Sequence, residues 1–185
     1  MAIYQVDFAN QLDPGSKCIR IIDFAHHKIH EGEHYFIEEG FALAEGGVRE
    51  YLITVPDSEM QPHFSFRVKL GLSGEVHLFE GTSKTGGTAL TARNRKRVAG
   101  DNAATTVTLT PGGTGDGTEL FSTSHGSTGG GPNSSGGENR GENEIMLAPN
   151  TAYLFRVASN EADNQITVLL DWYEQVPDPD EYFTR

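Results

Sequence analysis

The chain is short of cysteine, of positive charge and of long apolar runs, and each shortage narrows what it can be. Cys18 is the single cysteine among 185 residues, so no disulfide can form within the chain. Lysine and arginine total 14 against 26 acidic residues, a formal charge of -12. That balance repels phosphate backbones and anionic headgroups at long range, which argues against nucleic acid and membrane surfaces as partners. No stretch approaches the roughly 20 apolar residues that a helix needs to cross a bilayer. The opening MAIYQVDFANQLD lacks the charged start and continuous apolar core of a secretory signal, so a cytosol-like compartment is expected until assembly or release.

Apolar side chains are scarcest from Pro111 to Asn143, where only Leu120 and Phe121 break a polar run holding half of the twenty-two glycines. Such a run between strand-like segments predicts a long surface excursion on a rigid β scaffold. The expected organisation is an N-terminal arm over 1–14, one β-sandwich domain over 15–175 that carries the excursion at 111–143, and an acidic, proline-containing tail over 176–185.

What is present in quantity is period-two patterning. Phe64, Phe66, Val68, Leu70 and Leu72 alternate with Ser65, Arg67, Lys69 and Gly71, which puts an apolar row on one face of an extended segment. Ser73-Gly74 then turns the chain into a segment where Val76 and Leu78 share a face, so 64–80 predicts a β-hairpin. Tyr153, Phe155 and Val157, with Ile166, Val168, Leu170 and Trp172, predict a second hairpin closed by Ser159 to Asn164. Weaker strands are expected at Ile19–Phe24, Tyr35–Leu43, Tyr51–Val55, Thr105–Leu109 and Ile145–Leu147, with a bulge or bend at Gly40. No segment sustains a helical period beyond a turn or two. The fold expected is therefore all-β, an antiparallel β-sandwich of jelly-roll type with extended termini.

Few constellations point to chemistry. His26, His27, His30, Glu31 and His34 fall within nine residues and offer nitrogen and oxygen ligands for a metal. A cupin-like site would need a further histidine on a later strand, and Asn143 to Trp172 contains none. A solvated loop-to-strand junction is the favoured reading of that cluster, with His26, His30 and His34 kept as the candidate ligands. Ser122, Ser124 and His125 are neighbours in sequence, which does not by itself set a nucleophile against a base. The glycines at 112, 113, 115 and 117 lack the Gly-Lys-Ser/Thr ending of a phosphate loop. Glu38 and Glu39 would point to opposite faces of a strand and cannot act as one acid/base couple. The expectation is a protein without enzymatic activity or cofactor. Trp172, in phase with Ile166, Val168 and Leu170, reads as core, although an exposed tryptophan would suit a glycan- or receptor-binding module.

Arg93, Arg95, Lys96 and Arg97 make the one strongly basic run, suited to carboxylates of a partner or of another copy. The succession ALTARNRKR, GGENRGENEIMLAPNTAYLFRVAS and LLDWYEQ, within roughly residues 60 to 175, resembles a family of tailed-phage virion structural proteins. The resemblance implies a capsid decoration or cement protein. It would be made in the host cytoplasm, sit on the virion exterior, bind the major capsid protein and assemble as a homo-oligomer, a trimer fitting threefold positions. Interface candidates on that reading are the basic run together with Met1 and Tyr4 in the arm and Tyr182 and Phe183 in the tail.

Overall fold

A computed structural model describes residues 24–98, 100–125, 136–139 and 144–176. Among these residues one helix, α1 (Phe24–Glu31), precedes twelve strands: β1 (His34–Leu43), β2 (Val48–Val55), β3 (Gln61–Leu70), β4 (Gly74–Glu80), β5 (Thr88–Leu90), β6 (Arg93–Asn94), β7 (Thr106–Leu109), β8 (Thr118–His125), β9 (Gly136–Asn139), β10 (Ile145–Met146), β11 (Thr151–Ser159) and β12 (Asn164–Gln175). They form two antiparallel sheets packed as a sandwich. The first runs β10-β3-β12-β1-β6, with β9 also paired to β3; the second runs β5-β7-β2-β11-β4-β8. The arm at 1–14, and all of the tail except Val176, lie outside the described residues, and so do Met1, Tyr4, Tyr182 and Phe183.

The alternating rows meet between the sheets. The first sheet contributes Tyr35, Ile37, Phe64, Phe66, Val68, Leu70, Ile166, Val168, Leu170 and Trp172, and the second contributes Tyr51, Ile53, Val55, Val76, Leu78, Tyr153, Phe155 and Val157, all buried. Phe66 joins the layers, its ring 4.8 Å from that of Phe155 and 5.6 Å from that of Phe121. Trp172 is 2 % exposed, the core position that its phase predicts and one that keeps its ring from stacking on a sugar.

Neither expected hairpin forms. β3 and β4 lie in different sheets, as do β11 and β12, so Gly71–Ser73 and the segment 160–163 are corners that carry the chain from one layer to the other. Asn164, fully buried, ties the two corners together. Its Oδ1 accepts the Leu72 N–H at 2.7 Å, while its Nδ2 donates to the Ser73 carbonyl at 3.1 Å and to Ser159 Oγ at 3.0 Å. A side chain at Gly74 would place its Cβ 2.5 Å from the Ala158 carbonyl oxygen, so the corner closes only on glycine.

Three further expectations change. Gly40 pairs with Thr167 in an unbroken β1–β12 register, so no bulge interrupts it; the register shift falls instead between Leu78 and Phe79, where β4 meets β8. The glycine-rich stretch is partly built into the sheets, through β8 on the edge of the second sheet and β9 beside β3. Of the histidine cluster, His26, His27, His30 and Glu31 lie on α1, not on a loop, and His34 begins β1; Phe24, the last residue of the strand expected at Ile19–Phe24, starts that helix, and 19–23 lie outside the described residues. Gly32, at φ +90°, ends α1: its N–H reaches the Ile29 carbonyl and the Glu33 N–H the Lys28 carbonyl, the paired bonds of a glycine C-cap.

Candidate interaction site at the open edge of β1

β1 pairs with β12 along its whole length, but on its other side it meets β6 only at Tyr35 and Phe36. Among the described residues no strand pairs with that side from Ile37 to Leu43. Backbone polarity alternates along a strand. The Glu33 carbonyl accepts from Glu174 on the β12 side, and the His34 carbonyl accepts from Arg95 on the β6 side. By that alternation the N–H and C=O groups of Glu38, Gly40 and Ala42 point outward at the open edge. Beside this edge is a cleft of about 210 Å³ lined by Ile37, Glu38, Glu39, Leu90, Thr91 and Arg93. It lies where the edge of the first sheet faces β5, the edge of the second.

The basic run is split by the fold. Arg93 is exposed at the cleft and Arg97 is exposed beyond it, with Lys96 half-buried. Arg95 folds back onto the outer face of the first sheet, its Nε 3.1 Å from Asp171 Oδ1 and its Nη2 2.5 Å from Oδ2, with its guanidinium 5.0 Å from the Phe36 ring centre. His34 Nε2 reaches the same carboxylate at 2.8 Å. Burial alone would raise the Asp171 carboxyl, but the hydrogen bonds and charges of His34 and Arg95 outweigh it and hold it below the usual carboxylate value. Arg95 is thus consumed in anchoring the β6 segment to β12, which leaves Arg93 and Arg97 as the exposed arginines of the run.

Glu38 and Glu39 do face opposite ways. Glu39 is engaged by Arg49 Nη2 and by the Tyr51 hydroxyl, each at 3.0 Å, and burial together with this carboxylate pushes the Tyr51 hydroxyl up. Glu38 is exposed on the outer face of the first sheet, where it lines a shallow depression with Arg67, Lys69, Thr167 and Leu169. Arg67 and Lys69 therefore add positive charge to a face that the basic run borders, and the sequence pattern marked them only as the polar side of a strand.

Other polar groups that composition could not rank are structural. Glu174 is 1 % exposed and accepts the N–H groups of Ala104 and Thr105 at 2.9 and 2.7 Å, and Trp172 Nε1 at 3.3 Å, which fixes the loop before β7. On the outer face of the second sheet, Glu50 takes Lys84 Nζ at 2.8 Å on each oxygen and Arg156 Nε at 2.8 Å, while Asp116 meets both cations. The hydrogen bond from Arg156, then that from Lys84, keeps the Asp116 carboxyl low despite burial. Ser122 lies 3.2 Å from His77 Nδ1, which also faces Glu119 at 2.8 Å; Ser124 pairs with Glu75 and His125 with Gly74 across the β4–β8 ladder. The histidines expected to cooperate are divided: His26 and His30 share a face of α1, while His34 on β1 is committed to Asp171 and to the Ala25 carbonyl. Among the described residues no group of three or more histidine, cysteine or carboxylate side chains is placed to hold a metal.

An open strand edge, outward backbone donors and acceptors, and flanking arginines can receive an extended polypeptide as an added strand. Comparison with family models, curated proteins and solved structures finds no match.

Proposed function

We propose that this protein is a non-enzymatic virion component that decorates and stabilises a phage capsid, gripping the major capsid protein and other copies of itself through added strands. The observation that carries this reading is the edge of β1 from Ile37 to Leu43, which no described strand covers and which Arg93 and the cleft border. Seven residues of edge span about 23 Å, enough for an arm to add main-chain hydrogen bonds without special side chains. The strand orders support a jelly-roll reading of the sandwich. β1-β12-β3-β10 in one sheet and β2-β11-β4-β8 in the other follow the succession of an eight-stranded double Greek key, with β5, β6, β7 and β9 as additions. Exposed positive charge at Arg67, Lys69, Arg93 and Arg97, in a chain of net charge -12, favours acidic partner surfaces, and a second copy supplies such a surface.

The test is co-sedimentation of the purified protein with tail-free phage shells lacking it. Saturable, stoichiometric binding is expected, with no binding to isolated cells or glycans. Binding confined to tails, cells or glycans would replace this reading with that of a receptor-binding module.

A further inference from the structure

His34 is buried at the start of β1, and each of its ring nitrogens meets a group that can only accept a hydrogen bond. Nδ1 lies 3.2 Å from the Ala25 carbonyl oxygen in the first turn of α1, and Nε2 lies 2.8 Å from Asp171 Oδ1 on β12. A carbonyl oxygen has no proton to give. Asp171 has none either: Arg95 Nε and Nη2 donate to its two oxygens, and although burial would raise its carboxyl, the hydrogen bonds and charges of His34 and Arg95 hold it low. A neutral imidazole carries one N–H and one lone pair, so it satisfies one of these partners and opposes the other. The imidazolium, with two donors, satisfies both.

The groups around the ring decide which proton leaves. On β12 it faces the Asp171 carboxylate and the Tyr173 ring, 5.9 Å away at 64°, whose hydroxyl is 3.0 Å from His63 Nδ1 and 2.9 Å from Glu144 Oε1. After β6, Arg95 shares the same carboxylate, and α1 presents the Ala25 carbonyl, its Lys28 Nζ lying 2.7 Å from both Glu31 and Glu33. The negative charge of Asp171 keeps a proton on Nε2, so the proton lost is that on Nδ1. The lone pair left behind then faces those of the Ala25 carbonyl, and an attraction becomes a repulsion.

We propose that His34 is a proton-dependent latch, which holds the first turn of α1 to the β1–β12 face while its imidazole is charged and releases that turn as pH rises. Arg95 grips Asp171 in either state, so the β6 segment stays anchored and the change is confined to α1. Eight residues make a marginal helix alone, which leaves α1 dependent on its ties to the sheet.

The test uses the full chain and begins with the wild type across about pH 5 to 8, the range in which histidine changes charge. Ring-nitrogen NMR should show His34 protonated on both nitrogens at the acid end and on Nε2 alone at the alkaline end. Amide exchange at Lys28 to Gly32, whose N–H groups bond back within α1, is corrected for the intrinsic rise of exchange with pH. Its protection should fall about tenfold over the range, the effect of losing one hydrogen bond to a charged group. The Arg95 N–H, bonded to the His34 carbonyl, should keep its protection. The dependence should vanish in His34→Gln and persist when His26→Gln, His27→Gln and His30→Gln are combined. A His34 ring whose protonation does not change across the range, α1 protection that is constant or rises with pH, or a dependence that survives in His34→Gln would overturn the latch.

Discussion

Asp171→Asn isolates the contact that anchors the β6 segment, because the substitution keeps the shape of the side chain and removes its charge. The carboxylate receives three bonds, from His34 Nε2 at 2.8 Å and from Arg95 at 3.1 and 2.5 Å, and its side chain is 20 % exposed. Breaking a buried pair by removing one partner costs about 3–5 kcal/mol, and partial exposure on both sides puts this case near the lower end, about 3 kcal/mol. At about 2–4 °C per kcal/mol for a domain of this size, Tm at pH 7 should fall by about 6–12 °C. The pH dependence follows from the direction of the shift. The folded carboxyl lies below its unfolded value, so its contribution is complete above the unfolded value and is lost as pH falls through the folded one. Thermal unfolding followed by circular dichroism should therefore show a gap between wild type and variant that is present above the ordinary carboxylate value and closes as pH falls through the lower folded one. A fall of less than about 2 °C at pH 7, or a gap that persists in acid, would refute the anchor.

Three other outcomes are expected. Asn164→Ala leaves the Leu72 N–H without its partner and should cost about 1–3 kcal/mol, read as a lower urea midpoint at an unchanged m-value. Trp172→Ala should cost about 3–5 kcal/mol, and the intact tryptophan, being buried, should resist quenching by acrylamide. Deleting Gly136–Asn139 should speed amide exchange at Arg67 to Leu70, the β3 residues that β9 pairs with.

The alternating rows identified the core faces of β3, β11 and β12 directly, since inward positions such as Phe64, Phe155 and Leu170 must be apolar in any sandwich. They could not identify the sheet to which each strand belongs. β3 and β4 bury their apolar rows equally well whether the turn folds back within one sheet or steps across to the other, and it is Asn164, more than 90 residues from Leu72, that holds the corner. α1 carries no apolar stripe that would mark it, since His26, Lys28 and His30 are polar, although Gly32 after a basic last turn is a helix-ending signal. β8 was hidden by its polarity, as an edge strand with one face in solvent needs few apolar residues. The basic run was visible as charge alone. Its division into an Arg95 held by Asp171 and an exposed Arg93 depends on a contact 76 positions away, and the edge of β1 that no described strand covers depends on β6 stopping after two residues.

The central claim is that the open edge of β1 grips a neighbouring chain, and Ala42→Pro tests it most directly. Proline there removes an outward-pointing N–H and leaves the β12 ladder its donors. The variant should unfold at the wild-type temperature within about 2 °C, yet lose most of its co-sedimentation with shells. A folded Ala42→Pro protein that occupies shells as fully as wild type would contradict the account.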